Sequence, residues 1–570
     1  MNSQSSFRAF FSNLRKKRII EILAAFIAGG WLFIEFVHFI LIGHYHFPEK
    51  TLDFVLVTLI GILLCTLIWR WLSGREQSRK FRLEIVLIPL VVLVTVLLDL
   101  NLLLHLEAPE SEPVAAAPIW KNSVAVLPFV DMSPLKDQEY FCDGMTAELI
   151  NKLSNIKELK VPARTSVFFF KGKELDIRDI GKKLGVATVL DGTIQKVESR
   201  LRARVQLINI ADGFNLWSEE FDREMKDVFS IQDEIALAVA DKLKLTLLGE
   251  QKSKLIKHAT SDVNAFETYL KGKYYRYEER PKSNLMARDY FEEAIRKDSS
   301  YAAAFAGLAE SYMLLGLSSV LSRDEAAANA LNAAQKALEL DKNLSEAYVS
   351  MGVIKMVFDW DWKGAEAELK KAISLNPNNF DAHHEYGWLL FRTYRYDEAE
   401  KEWIHCQTMD PLNPLALREL RIFYLCRGQE GKAENIIRQL KEIRTDWAEF
   451  RENSYYSVEK ASLNIQEQGR NLGSITYLAI AYIKSGNSKE ASKLIEELKS
   501  LYEEGHEGNV ACSLADIFDA LGEKEKILTW LERAVEKKAP ALINLSLCFW
   551  FKSLQEEPRF QALLKRVGLK

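Results

Sequence analysis

Histidines occur in two close pairs, His44 and His46 around Tyr45 and the adjacent His383 and His384, and paired histidines are the first place to look for a metal site. Neither pair has metal-site geometry. His44 and His46 stand beside a long apolar run and read as an interfacial cluster, whereas neighbouring residues of a helix such as His383 and His384 point in different directions. No G-x-x-x-x-G-K-[ST], H-E-x-x-H or G-x-S-x-G string occurs, so phosphate-loop, zinc-protease and serine-hydrolase chemistry lack their residues. Six cysteines at 65, 142, 406, 426, 512 and 548 form no C-x-x-C and read as buried free thiols. No catalytic residue, cofactor or metal is therefore expected, and the chain reads as non-enzymatic.

Three other polar sets could matter. Glu35, Asp99 and Asn101 lie in or near apolar runs, where ionisable groups are costly. Asp99 and Asn101 are close enough to the end of their run to reach an interface, which leaves Glu35 as the intramembrane candidate for helix association or signalling. Asp143, Gly144, Arg164 and Thr165 are explained by turn and cap chemistry without a ligand. The third set depends on a repeat. Projected on its template, Glu346, Val349, Asp381, His384, Trp388, Phe391 and Arg418 fall near the concave groove of a helical array, where mixed charge and aromatics suit a protein or peptide partner. The competing reading packs Trp388 and Phe391 within the superhelix, and both stay open on sequence alone.

The elements that would position these residues begin with composition. At 570 residues the chain is several domains long, and its formal charge of −4 with 27% charged residues gives no electrostatic footprint for nucleic acid. Apolar runs extend from about Ile19 to Ile42, Leu52 to Trp69 and Leu83 to Leu104, each near the roughly 20 residues that cross a bilayer. Arg8, Arg15, Lys16, Lys17 and Arg18 precede the first run, and Arg70, Arg75, Arg79, Lys80 and Arg82 separate the second from the third. The positive-inside rule then makes residues 1–18 a cytoplasmic tail, 19–106 three transmembrane helices, and everything beyond extracytoplasmic. That expectation places the chain in a bacterial inner membrane with periplasmic domains. Residues 107–119 (EAPESEPVAAAP and its neighbour) form an extended Pro-rich linker.

Residues 120–248 read as an α/β layer domain. Ser123 to Val130 and Leu159 to Val161 are expected as strands, Asp143 and Gly144 as the start of a helix, Ile177 to Leu184 as a second helix, Thr188 to Lys196 and Leu201 to Asn209 as further strands, and Val228 to Leu248 as a closing helix. Gly192 and Gly213 are read as strand-end punctuation. From 262 to 570 strand signals vanish and an all-α tetratricopeptide superhelix of about seven hairpins is expected. Its clearest copy is Gly387, Ala399, Trp403, Cys406 and Pro411. The triad at template positions 20, 24 and 27 recurs at Ala287/Phe291/Ala294, Ala330/Ala334/Ala337, Ala365/Leu369/Ala372, Ala433/Ile437/Leu440, Ala491/Ile495/Leu498 and, loosely, Ile527/Leu531/Ala534. Spacing breaks between Arg444 and Leu472, which predicts two stacks.

The blocks SVAVLPF (123–129), EYFCDGMTAELINKLS (139–154), VLDGTI (189–194), QLINIADGFNLWSEEFDRE (206–224) and FSIQDEIA (229–236) resemble the TolB amino-terminal-like, or FlgO-like, domain. That resemblance implies tetratricopeptide repeats behind the domain and a membrane module ahead of it. Relatives of that kind often carry a cytoplasmic cyclase or winged-helix output domain, for which some 18 residues before the first run are too few. The expectation is a non-enzymatic protein-interaction scaffold for signalling or envelope assembly. The alternative is a ligand-sensing subunit that signals through its helices to a separate cytoplasmic regulator or cyclase.

Overall fold

In the computed structural model the described residues are 51–72, 120–245, 258–278, 280–443, 457–504, 507–547 and 551–570, with scattered positions in 26–36, 91–95 and 252–256. The chain divides into two compact units, Met1–Ala115 and Ala116–Lys570.

In the first unit, helix α1 (Thr51–Leu72) runs 22 residues and leaves Leu56, Ile60, Ile62, Leu64 and Trp69 exposed. Among the described residues no helix is long and apolar enough to cross a membrane; in α1 the side chains are described only over 55–69. Most of the expected first and third spans, the basic flanks, His44, His46, Asp99, Asn101 and the linker 107–119 lie outside the described residues. Glu35 is helical and exposed.

The second unit opens with an α/β domain. Strands β1 (Trp120–Val126) and β2 (Val130–Asp131) both pair in parallel with β3 (Val186–Val197), which continues antiparallel to β4 (Arg200–Asn209) and that to β5 (Asn215–Glu224), giving the order β1-β3-β4-β5 with β2 on β3. The parallel pairing requires a crossover. Helices α2 (Glu139–Ser154), α3 (Arg164–Phe168) and α4 (Ile177–Leu184) supply it, and α5 (Val228–Lys242) closes the domain. Val124, Ala125 and Val126 are fully buried because β1 is covered on both faces, while β4 alternates buried and open positions as a half-covered strand does. Helix α4 starts on the Asp176 side chain, which accepts the Arg178 amide, and stops at Gly185 with φ 67°.

Three local expectations change. Helix α2 begins at Glu139, so Asp143 and Gly144 are mid-helix rather than a cap. Gly144 is there for space: a Cβ would stand 2.7 Å from Leu270 of the repeat array. Residues 159–161 make one bridge, Ser123 to Lys160, and no strand. Gly192 lies inside β3, where a Cβ would meet the Arg204 carbonyl oxygen at 2.4 Å, while Gly213, at φ 76°, does mark the β4–β5 turn.

The repeats follow as paired helices: α6 (Val263–Arg276) with α7 (Pro281–Lys297), α8 (Ala302–Leu317) with α9 (Arg323–Leu340), α10 (Ser345–Ile354) with α11 (Trp362–Leu375), α12 (Phe380–Arg392) with α13 (Tyr396–Met409), and α14 (Pro414–Cys426) with α15 (Glu430–Ile443). The triads form the seams. Ala287, Phe291, Ala294, Ala365, Leu369, Ala372, Ala399, Trp403 and Cys406 are all fully buried. In α15 the buried large residue is Ile436, one place before the Ile437 of the template. In three of these pairs a glycine on the first helix accepts the large residue of the second: a Cβ on Gly272 would stand 2.7 Å from Phe291, one on Gly352 2.7 Å from Leu369, and one on Gly387 2.5 Å from Trp403.

Beyond 457 come α16 (Val458–Gln468), α17 (Leu472–Lys484), α18 (Ser488–Glu503), α19 (Glu507–Leu521), α20 (Lys524–Glu536) and α21 (Pro558–Val567), which enclose a separate apolar core. The second stack leans back on the first. Trp362 Nε1 donates to the Val567 carbonyl at 2.8 Å, and Asn509 Nδ2 to Ser319 Oγ at 3.0 Å. The free-thiol reading fails at Cys426, which is disulfide-bonded; among the described residues Cys65, Cys142, Cys406 and Cys512 are free.

Candidate ligand cavity

The α/β domain is seated on the array by polar contacts at buried positions. Asp410, fully buried at the end of α13, accepts the Ser166 amide at 2.9 Å and the Asn413 side-chain amide at 2.8 Å; the Leu412 amide donates to Ser166 Oγ at 2.8 Å. Burial outweighs these donors and raises the Asp410 carboxyl to about 6. Asn378 Nδ2 donates to the Ser154 carbonyl at 2.9 Å, and Lys196 pairs with Glu267. Arg164 is clasped between the rings of Phe168 and Tyr277, at 3.7 and 3.8 Å, with Asp143 at 3.8 Å. Asp143 is itself held by Lys171 at 2.7 Å. Arg164, Asp143 and Gly144 thus serve the domain junction, and Thr165 stands in the short helix beside it.

Between domain and array lies a cavity of about 900 Å³, at the upper end of the size common for small-ligand sites. Its walls come from three parts of the chain. Glu148, Lys152, Gln232 and His258 come from the α/β domain and its exit; the repeats add the inner faces of α6, α8, α10, α12 and α14; Tyr477, Ile543, Asn544 and Leu547 come from beyond residue 457.

Of the seven residues projected from the repeat template, Glu346, Val349, Asp381, His384, Trp388 and Arg418 line this one cavity. Phe391 does not. It is buried against Trp403, Phe423 and Tyr396 in the seam behind the wall, so the packed reading holds for it. Trp388 belongs to both, lining the cavity while its ring meets Trp403 edge-on at 5.2 Å. His383 points away from His384, towards Glu402 at 2.6 Å and the His405 ring, as adjacent helical positions must. Among the described residues no cluster of histidine, cysteine or carboxylate side chains could hold a metal ion.

The wall is charged in both senses. Arg276 pairs with Glu310, Arg418 with Glu419, and Lys152 with Asp233 at 2.6 Å. His384 Nδ1 lies 3.2 Å from Glu385 and Nε2 3.4 Å from Glu419; burial opposes its charge, but the two carboxylates hold the imidazolium up to about 10. Burial pushes the Glu148 carboxyl up, with Glu346 adding to the shift against Lys273, Lys152 and a hydrogen bond from Tyr269. Asp381, open to the cavity, is raised by its surroundings and by Glu310. Such a surface suits a ligand with polar groups of both signs. Arg392, at the end of α12 and one turn beyond Trp388 on the same face, also lines the cavity, although the projection of the template did not include it.

Comparison with known proteins divides the same way as the fold. The HilA/YgeH-like transcriptional regulator second-domain family matches residues 120–238, and a tetratricopeptide-repeat family matches 368–401. The family matched over the α/β domain is thus described as a regulator's second domain. A Rhizobium meliloti protein named "Putative adenylate cyclase 3" is 30% identical over 263 residues, 45% of this chain and 43% of that protein. The transcriptional regulator HilA of Salmonella typhimurium is 27% identical over 172 residues, 30% of this chain and 31% of that one. The chain therefore spans less than half the length of the curated relatives it matches. Among solved structures, a Rap protein complexed with competence and sporulation factor is 15% identical with a TM-score of 0.31, covering 57% of this chain and 90% of that one. YrrB, a TPR protein with an unusual peptide-binding site, is 20% identical with a TM-score of 0.23, covering 32% and 89%. What these matches and the fold establish together is a mixed α/β domain of the HilA/YgeH second-domain kind followed by a tetratricopeptide-repeat interaction region.

Proposed function

We propose that this chain is the ligand-sensing subunit of a signalling system, anchored in a membrane, that reports to a separate regulator or cyclase. The observation that carries the reading is the cavity shared by the α/β domain and the repeat array. A ligand bound there touches both bodies at once, and any preference for one of their arrangements shifts the population of that arrangement. The names of the relatives support signalling over envelope assembly, since one is a transcriptional regulator and another is named for a cyclase.

Membrane anchoring with extracytoplasmic domains is part of the proposal. Its support is the distribution of basic residues around three apolar runs and the exposed apolar face of α1. The disulfide at Cys426 also favours an oxidising compartment. In-membrane crosslinking followed by mass spectrometry should recover a cyclase or a DNA-binding regulator as the main partner. Replacing Asp381, His384 and Arg418 together should leave that complex intact and abolish its response to ligand. Recovery of envelope-assembly proteins alone would overturn the sensor reading in favour of a scaffold.

A further inference from the structure

One end of the sheet in the α/β domain carries exposed apolar side chains set among lysines. Trp120 opens β1 beside Val186, the first residue of β3, and β4 ends at Asn209 to return as β5 at Asn215, so the starts of β1, β3 and β5 share one level with the end of β4. Phe214, in the turn between β4 and β5, is 74% exposed, and Leu216 and Trp120 are open beside it. Leu175, also exposed, precedes α4, whose Arg178 side chain reaches Gly213 of the same turn. Lys121 and Lys183 are exposed there and, among the described residues, meet no carboxylate; the Lys160 ammonium lies 5.5 Å from the centre of the Trp120 ring. The neighbouring acids are engaged: Asp176 by Arg178 at 2.6 Å, Asp179 by Lys182 at 3.9 Å, and Asp212 by the Asn209 side chain at 3.0 Å. Glu158 and Glu174 each follow a lysine, Lys157 and Lys173, which leaves Lys121 and Lys183 in excess. The opposite end of the sheet differs. Val130, Met132 and Leu135 are exposed there, but Lys136 is folded onto the Asp131 carbonyl and the Met132 sulfur, and Asp137 and Glu139 follow. Aromatic and aliphatic tips interleaved with unpaired lysines are the composition of a surface that meets a bilayer interface.

We infer that this end of the α/β domain rests on an anionic bilayer, with Phe214, Leu216, Leu175 and Trp120 at headgroup depth and Lys121, Lys160 and Lys183 against lipid phosphates. The inference rests on the membrane anchoring in the proposed function and goes beyond it, since an anchor alone requires no contact between the exported domains and lipid. Two observations select a lipid surface as the occupant. The chain enters the domain at this end: residues 105–119 separate the third apolar run from Trp120, and fully extended they reach at most about 50 Å. The uncommitted charge is also of the right sign, because lysines close to a membrane are drawn to anionic headgroups. Tethering lets a contact of modest affinity persist, since a surface held at short range sees a high effective concentration of lipid. The Val130, Met132 and Leu135 end has neither the chain entry nor the free cations, and its acids oppose an anionic surface.

The test puts a photoreactive side chain at single positions of the full chain, reconstituted in nanodiscs of phosphatidylcholine alone or mixed with phosphatidylglycerol, and reads the adducts by mass spectrometry. Phe214→p-benzoylphenylalanine should yield lipid adducts in the mixed discs. Leu135→p-benzoylphenylalanine, at a more exposed position of the opposite end, should yield at least about tenfold fewer. The yield at position 214 should drop at least about threefold in phosphatidylcholine alone, and by a similar factor in mixed discs when Lys121→Glu and Lys183→Glu are combined. Equal lipid yields at positions 214 and 135, or adducts at 214 with protein in place of lipid, would refute the bilayer contact. A yield at 214 indifferent both to phosphatidylglycerol and to the two lysine reversals would refute its anionic character. A chain that enters the discs yet gives no adduct at 214 overturns this inference and leaves the anchoring standing. A chain recovered outside the discs overturns the anchoring as well.

Discussion

Asp410 shows how one side chain ties the two bodies of the second unit together. Its folded-state proton is held to about pH 6, against 3.8 for an ordinary aspartate, so the folded chain binds more protons between those values. Stability from this group is therefore fully present below about pH 4 and is lost as pH rises through 6, on the order of 3 kcal/mol in all. Asp410→Asn removes the titration. The melting temperature of wild type relative to Asp410→Asn should fall steadily from pH 4 to pH 6.5, and a flat difference would show that Asp410 titrates normally. This residue was not legible in the sequence. It reads there as the ordinary turn before Pro411, and only the arrival of Ser166 from 244 residues away makes it a buried acceptor. Asp143 and Gly144 were misread for the same reason: nothing local reveals that Leu270 and Lys171 meet them mid-helix.

At the scale of elements, the repeat seams depend on glycine where a helix must pass over a large ring. Gly387→Ala gains about 1 kcal/mol of helix propensity but sets a methyl 2.5 Å from Trp403, which is fully buried among Trp388, Phe391 and Phe423. Overpacking of that kind costs about 1–3 kcal/mol, so chemical denaturation should show a net loss. Gly431→Ala, in α15 with nothing within 4 Å, is the control and should be neutral or slightly stabilising. The hairpins were legible because their signal is local: an alanine at the crossing, most often with a larger residue four places on, recurs from repeat to repeat. Strand β5 was not legible. Half of its sequence NLWSEEFDRE is charged, and it is a strand because Asp222 and Glu220 pair with Arg200, Arg202 and Arg204 across the ladder.

At the scale of the molecule, topology and oxidation state test the compartment together. Alkaline phosphatase fused after Leu248 should be active, and a full-length but inactive fusion, the cytoplasmic result, would overturn the orientation. Peptide mapping without reductant should recover the Cys426 peptide joined to a second cysteine peptide, whereas the Cys142, Cys406 and Cys512 peptides should be found free. Reduction should then loosen the end of α14 around Cys426, read as faster amide exchange there.

Periodic side chains determined the order of the parts: apolar runs, an α/β domain, then tetratricopeptide hairpins. Periodicity is a property of neighbours three or four residues apart, and any stretch of chain displays it unaided. The cavity was decided only by tertiary structure. Six residues foreseen for the groove do line it, but its floor comes from the α/β domain and one wall from beyond residue 457. Arg392 is met there by Asn544 and Met356, and among the described residues no carboxylate lies within ion-pair distance of it. Which charges are left unpaired depends on distances between segments remote in sequence, and no local pattern carries that information.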